Sequence, residues 1–456
     1  MTEHHDKPLS WAVVGGGFAG IRTAMLLAQR GQRVTLIEAS DRLGGLASPW
    51  SIEDVEWDRY YHVILLSDRY LRSVLKELEL DDEIAWVQTK TGFLAAGKLY
   101  SLSSSIDFLF FPVLNWIQKF RLGLTIFAGS KIRRWKPLEQ ILVEDWLRKW
   151  SGHSTFEKIW RPLLKSKLGD AYQRTNASFI WAYIQRMYSA RRSGLKREMF
   201  GYVPGGYRRI IDALGPHLNR MGIQVQFQKY VQSVVRSRGN QFELTIESRG
   251  VQSHEAFDRV VMTTPSSHIA SVTSDWSEDE RNRLTGTEYL GVICTSLLLD
   301  RPLAGYYVTN LLDPGIPFTG IIEMGSILPM EKLSGNYLVY LPRYLMSDDP
   351  SFEEPDTEIH SRAIQTLKKI YPGFQSEWVR AIRTARAKSV MALPTLDYSN
   401  RRMPVATSIP GFYSLNSARI VEGTLNVNEV LRLVDEEFEP GIWSPHLALR
   451  RRDSAS

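Results

Sequence analysis

The chain holds a single cysteine, Cys294, among 456 residues. One thiol excludes an internal disulfide framework and a cysteine metal cluster, and it suits a reducing compartment. Long apolar runs are missing too: none reaches the roughly 20 residues that span a bilayer. The opening MTEHHDKPLS is short and polar and lacks a signal-peptide core, so a cytoplasmic protein is expected. Net charge is +6, yet no zinc-ligand spacing, helix-turn-helix or RNP signature accompanies it, so no nucleic-acid partner is expected. The cations gather between Lys119 and Arg209 and at Arg450, Arg451 and Arg452, where residues 441–456 read as a disordered, solvated tail. No catalytic triad or metal site is legible.

What is present is a hydrophobic fraction of 43%, enough at this length to fill two or three domain cores. The most ordered pattern runs from Trp11 to Leu46. Trp11–Val14 reads as a buried parallel strand, and Gly15-Gly16-Gly17-Phe18-Ala19-Gly20 supplies G-x-G-x-x-G directly after it. A helix from Ala19 to Arg30, a turn at Gly31 and a second strand, Val34–Ile37, lead to Glu38. Gly15 permits the tight turn, Gly17 lets backbone approach a pyrophosphate, and Gly20 lets the helix pack on the sheet. The helix N-terminus offers free N–H groups to phosphate, and Glu38 would accept from both ribose hydroxyls while repelling a 2′-phosphate. The unit therefore predicts dinucleotide binding, with NADP disfavoured.

Asp41-Arg42-Leu43-Gly44-Gly45-Leu46 follows at once. E-A-x-D-R-x-G-G after a GxGxxG unit resembles the flavin-dependent superfamily of amine oxidases, protoporphyrinogen oxidases, phytoene desaturases and UDP-galactopyranose mutases. The resemblance implies FAD as the cofactor. It also implies an α/β fold: a Rossmann-type, glutathione reductase-like FAD-binding domain, an α+β substrate domain and a helical insertion. The expected FAD-binding domain combines residues 8–75, 203–285 and 395–440; the substrate sheet combines 76–100 and 286–394; the helical cap is 101–202. On this resemblance Gly15, Gly17, Phe18, Ala19 and Gly20 meet the phosphates, and Glu38 and Ala39 the ribose. Arg42, Gly44, Gly45 and Leu46 lie along the pyrophosphate and ribityl chain, and Tyr61 and His62 come near the flavin ring. A histidine among aromatic and apolar neighbours also suits a hydrogen-bonded core, and both readings of His62 stand.

Further along, Ser67 is expected to cap a helix from Asp68 to Glu79, and Thr91–Ser101 reads as a hairpin turning at Ala96-Gly97. Residues 106–117 are apolar, aromatic and broken by Pro112, and Lys119, Arg121, Lys131, Arg133, Arg134 and Lys136 follow. That pattern suits either an interfacial anchor touching a membrane through 106–136 or the roof of a substrate cavity. A helix is expected over Glu139–Leu147. Trp160–Asp170 resembles the P-L-L-x-x-K-F-G stretch of the protoporphyrinogen oxidase-like branch, with Leu168 in place of the aromatic. Phe179 to Lys196 mixes aromatics with Arg186, Arg191, Arg192 and Lys196, which suits either a cavity for an anionic, partly apolar substrate or a solvated helix face.

Gly201–Tyr207 resembles the stretch that returns such chains to the flavin domain, with Tyr202 as a cavity residue. The resemblance further assigns an adenine contact to the backbone of Val234. It assigns the last flavin segment to residues 411–430, where Asn416 replaces the usual Gly-Asp and Thr424, Asn426 and Asn428 approach the ring. Glu323, on an inward strand, is the one acid of the second region singled out. The candidate catalytic residues are His62, Arg186 and Tyr202. The expected activity is hydride transfer from a C–H or C–N bond of an apolar or anionic small molecule, lipid-like or phosphate-bearing, to flavin N5. Two alternatives stand beside it: a redox-neutral nucleotide-sugar mutase, and a flavin-free binding protein on the same fold, like the GDP-dissociation inhibitors.

Overall fold

Strands apolar on both faces pair in parallel and must be covered from both sides, which places Trp11–Val14 at the centre of a sheet. The computed structural model describes residues 7–191, 199–237, 239–438 and Trp443. The expected cations Arg192 and Lys196 and the tail cluster at Arg450, Arg451 and Arg452 lie outside the described residues. Ser10–Val14 lies in a five-stranded sheet ordered Gln224–Gln226, Arg33–Ile37, Ser10–Val14, Arg259–Met262, Phe412–Ser414. Every pairing in it is parallel. The chain leaves Ser10–Val14 toward one side and returns on the other, so a crevice opens at the carboxyl end of that strand.

Helix Phe18–Gln29 covers one face and is fixed from outside. Arg22 is buried on it, with Nε 2.6 Å from Asp435 of helix Val427–Phe438 and Nη1 3.1 Å from Glu77 of helix Arg69–Glu77. Three helices distant in sequence are thereby tied at one guanidinium. The expected cap at Ser67 is corrected: helix Arg69–Glu77 starts one residue later than expected, with Asp68 at the cap position, and Asn428 Oδ1 accepts from the N–H groups of Tyr70 and Leu71. A three-stranded antiparallel sheet, Tyr230–Arg236, Phe242–Ser248 and Val251–Phe257, shares a core with Ala12, Val14 and Val260 on the other face.

The second large sheet has seven strands, in the order Val379–Ala392, Tyr289–Leu299, Tyr337–Met346, Gly320–Glu323, Val308–Leu311, Thr91–Ala95, Lys98–Ser101. Tyr289–Leu299 is buried at all eleven positions, and Cys294 sits within it. Its neighbour Val379–Ala392, fourteen residues long, was not expected from the sequence. Its cations hide the alternation, and the fold places them on partners: Arg380 on Asp300, Arg386 on Asp356, Lys388 on Glu353 and Arg383 over the Trp50 ring. Charges of this kind on an edge strand guard it against pairing with other chains. The hairpin at Ala96-Gly97 forms with both turn residues at positive φ.

Helices from Ser105 to Arg191 roof the large sheet. The expected helix at Glu139 is corrected. Lys136–Gln140 is a 3-10 turn, and the helix proper is Val143–Ser151, because Ile141 and Leu142 are extended. Among the described residues no helix is long and apolar enough to cross a membrane.

Candidate cofactor site and substrate cavity

The turn after the first strand is built to tolerances that only glycine meets. Gly15 takes φ +109°, and a Cβ on Gly20 would lie 1.8 Å from the Gly15 carbonyl oxygen. Around Gly17 nothing lies within 4 Å of a built Cβ, so this part of the cradle is open to a ligand. Phe18, Ala19 and Gly20 are buried at the start of the helix, and the Phe18 ring meets Tyr207 edge-on at 5.8 Å. The Glu38 carboxylate is fixed beside them, accepting from the Gly16 N–H at 2.5 Å and from Ser40 N–H and O–H at 2.8 and 2.7 Å. Ala39 is exposed next to it.

The second glycine pair crosses this turn. Gly44 takes φ +112° and donates its N–H to Gly16 O at 2.8 Å, while a Cβ on Gly45 would stand 3.2 Å from Gly17 Cα. Arg42 is exposed at the rim, 3.6 Å from both Asp41 and Glu56, and Leu46 is half-buried behind the pair. Close by, Arg59 donates its backbone N–H to Ser48 O, and its Nε is buried with no partner among the described residues. A buried donor left without a partner is the kind of group that a bound anion or sugar oxygen would satisfy. The sequence reading passed over Arg59.

Beyond the glycine pair, Asp58, His62 and Tyr207 form a neutral cluster. Burial pushes the Asp58 carboxyl up to about 8, partly offset by the Tyr207 N–H that it accepts at 2.9 Å. Burial pushes the His62 imidazole down to about 4. His62 Nδ1 lies 2.9 Å from the Tyr60 carbonyl, which only accepts, so Nδ1 carries the proton and Nε2 the lone pair. The ring packs on Tyr207 at 4.9 Å. The hydrogen-bonded core expected of His62 is present on one side: Nδ1 is tied to backbone, and Nε2 has no hydrogen-bond partner among the described residues.

Past His62 the wall is phenolic. Tyr61 and Tyr344 share a hydroxyl hydrogen bond of 3.0 Å; burial raises both phenols, and nearby Tyr183 raises them further. Lys167 Nζ sits 3.2 Å from the Tyr344 ring centroid, and burial pushes its amine down to about 7. Tyr61, His62, Lys167, Tyr183 and Tyr344 keep some accessible surface although protein surrounds them. Side chains in that condition line an internal hollow. Its walls come from the segment after the glycine pair, the large sheet and the helical roof.

Arg186, a candidate catalytic residue, faces the same region but is paired, with Nη2 3.4 Å from Asp68. Its charge is spent on joining the roof to helix Arg69–Glu77. Tyr202 is half-buried, edge-on to Trp57 at 6.3 Å. The C-terminal candidates are largely occupied by the protein itself. Asn416 donates to Thr264 O at 2.8 Å and accepts from Ala418 N–H. Asn428 holds helix Arg69–Glu77, and Asn426 caps the last helix through the Glu429 N–H and donates to Thr424 O. Thr424 is buried. The Val234 N–H is donated to Val272 O at 2.7 Å, which leaves that donor closed to adenine. Glu323 caps a loop through the N–H groups of Ala304 and Gly305, outside the hollow.

A profile of flavin-containing amine oxidoreductases matches residues 18–422. The chain belongs to that family. It is 28% identical over 396 residues to a 15-cis-phytoene desaturase of Capsicum annuum, covering 80% of this chain and 65% of that one. It is 22% identical over 370 residues to a chloroplastic protoporphyrinogen oxidase of Nicotiana tabacum, covering 73% and 66%. The chain thus spans less than two thirds of these curated relatives' length. In fold it is similar to a solved oxidoreductase of Methanosarcina mazei, with a TM-score of 0.71, 18% identity and coverage of 94% and 100%.

The residues of this family member fit FAD. The Gly15–Gly20 cradle and the helix start suit the pyrophosphate, and Glu38 the adenosine ribose. Arg59, whose Nε lacks a partner among the described residues, would be a further donor for FAD. His62 and Tyr61 stand where the hollow begins. Besides Arg59, sequence reasoning missed Lys167 and Tyr344. The quoted P-L-L-x-x-K motif contained Lys167, and only its direction was lacking.

Proposed function

We propose that this chain is an FAD-dependent oxidoreductase that takes hydride from a C–H or C–N bond of a largely apolar small molecule, working against a membrane surface. The observation that carries this reading is the glycine cradle followed by Tyr61 and His62, which keep accessible surface within the protein together with Lys167, Tyr183 and Tyr344. Bound FAD would supply the hydride acceptor. The chain's own part is to bind the diphosphate through backbone N–H groups, hold the ribose at Glu38 and keep bulk water out with the roof and the large sheet. His62 offers an acceptor without a charge, and neutral Asp58 beneath it adds none. An uncharged floor suits a substrate without a cation at the reacting carbon. The names of the relatives, a desaturase and an oxidase, agree with dehydrogenation at that centre.

A redox-neutral mutase would need free arginines to hold a nucleotide-sugar diphosphate. Arg186 is committed to Asp68, and that weakens it. The decisive experiment is the visible spectrum of the purified protein before and after dithionite, followed by anaerobic mixing with polyenes and amines. Flavin bands that bleach with substrate support the oxidoreductase. Bands that stay oxidised while a nucleotide sugar rearranges only after dithionite favour the mutase, and a colourless protein that cannot be loaded with FAD favours the binding protein.

The membrane part rests on the roof. Ile106, Phe110, Trp116, Ile117 and Phe120 are 66–79% exposed on helices Ser105–Phe110 and Trp116–Lys131. Between Asp107 and Glu139 there is no acid, and Lys131, Arg133, Arg134 and Lys136 close the segment. Lys119, expected among the flanking cations, is instead buried, donating to Leu109 O and lying over the Trp116 ring. Large exposed apolar area rimmed by cations alone complements an anionic lipid surface.

A further inference from the structure

Helix Arg161–Leu168 carries three cations, and the fold treats them differently. Arg161 points outward to Glu157 at 2.7 Å, and Lys165 points outward to Asp170 at 3.4 Å. Lys167 turns inward, and it makes no ion pair or side-chain hydrogen bond within the described residues; its ammonium lies over the Tyr344 ring. Arg186, the other cation of the hollow, is neutralised by Asp68. A tyrosine-lined hollow with one uncompensated ammonium has a missing partner, because an ammonium kept from bulk water is costly unless paired.

We propose that Lys167 is the seat of the carboxylate of an amphipathic substrate, whose apolar body fills the rest of the hollow toward His62. This rests on the reading of the hollow as the substrate cavity and names the class of molecule it takes. The donor set matches a carboxylate in particular. One oxygen meets the Lys167 ammonium. The other meets the hydroxyl pair of Tyr61 and Tyr344, 3.0 Å apart, where one proton is spare because the pair needs only one for its own bond. A phosphate ester would bring a second charge, and the structure offers no further free cation beside Lys167 among the described residues. An amine substrate would meet a like charge there. Burial already holds the amine at about 7, and an arriving carboxylate reverses that penalty by favouring the charged form.

The test is calorimetric titration of the FAD-loaded protein with decanoate and with decanamide, which has the same chain length and no charge. The flavin bands are recorded at the same time. Wild type is expected to bind one decanoate at least tenfold more tightly than decanamide. Lys167→Met is expected to erase that preference while its melting temperature and flavin spectrum stay as in wild type, and Lys167→Arg is expected to keep it. Equal binding of the two probes by wild type, or a preference that survives in Lys167→Met, overturns the proposal. A decanoate preference in a protein that cannot hold FAD leaves the anion seat standing and sinks the oxidoreductase reading. A flavin that binds and bleaches with no decanoate preference sinks the anion seat alone.

Discussion

Alanine at Gly20 and alanine at Gly17 should fail in different ways, although both are glycines of one motif. A Cβ on Gly20 would stand 1.8 Å from the Gly15 carbonyl oxygen and 3.0 Å from Thr263 Oγ1. Relief requires the start of the helix to move by more than about 1 Å, since buried contacts below that spacing behave as overpacking. The helix cannot tilt freely, because Phe18, Ile21, Ala24 and Met25 are buried on it and Arg22 is bound to Asp435 and Glu77. Gly20→Ala should therefore cost about 3 kcal/mol of stability with or without cofactor. Where a cradle so strained is the binding site, FAD affinity should drop on the order of a hundredfold. Gly17 has an ordinary φ of −72° and nothing within 4 Å of a built Cβ. As the residue before the helix, its change to alanine should cost the empty protein less than about 1 kcal/mol. Its FAD affinity should still fall more than about tenfold, because the methyl group occupies the pyrophosphate's path. The assay is thermal melting of deflavinated protein together with a fluorescence titration of FAD for each variant. Wild-type affinity in Gly17→Ala would show that the diphosphate does not lie on this backbone. An unchanged melting temperature in deflavinated Gly20→Ala would refute the packing argument.

Three further outcomes are expected. Asp58 keeps its proton to about pH 8 when folded but releases it near its ordinary 3.8 when unfolded. Its contribution is therefore fully present below that lower value and is lost as pH rises toward 8, by at most about 1.4 kcal/mol per pH unit. Asp58→Asn, which can still accept the Tyr207 N–H, should gain on wild type in urea midpoint between pH 5 and pH 8; parallel pH dependences would contradict the buried neutral carboxyl. On the roof, Phe110→Glu, Trp116→Glu and Phe120→Glu together should abolish flotation with anionic vesicles, since each aromatic would have buried area worth about 1.5–3 kcal/mol. The melting temperature should hold, and a triple variant that still floats would send the membrane reading elsewhere on the surface. Asn428→Ala removes the acceptor for Tyr70 and Leu71 N–H and should cost about 1–2 kcal/mol while leaving the flavin spectrum in place. A loss of flavin without a loss of stability would return Asn428 to the cofactor.

Legibility followed locality. The unit from Trp11 to Leu46 could be read because its glycines answer to each other over a few turns of chain: Gly20 to Gly15, Gly44 to Gly16, Glu38 to Gly16. The buried strand Tyr289–Leu299 is written in the sequence as one apolar run. Strand Val379–Ala392 was not legible, because its cations break the alternation and find their partners at Asp300, Glu353 and Asp356. Asn416, Asn428 and Val234 are assigned to the cofactor by resemblance alone. The polar groups, however, are claimed by Thr264, by Tyr70 and Leu71, and by Val272. A motif fixes where a residue stands along its element and says nothing about which neighbour takes its hydrogen bonds.

The sequence by itself determined the dinucleotide cradle and the apolar, basic segment 106–136, because each is written in contiguous spacing and composition; the motif after Glu38 added a resemblance to the family that the profile matches. Only the tertiary structure decided which charges are free. Lys165 and Lys167 stand two residues apart on one helix, and helical geometry sends one to Asp170 at the surface and the other onto Tyr344 inside. Arg186 and Lys119 read as available cations until the fold gave one to Asp68 and the other to a backbone carbonyl. Arg59 drew no notice until burial left its Nε without a partner. The energy of a charge depends on its distance to an opposite charge and on the water around it. For Arg186 and Lys167 both are set by residues more than a hundred positions away.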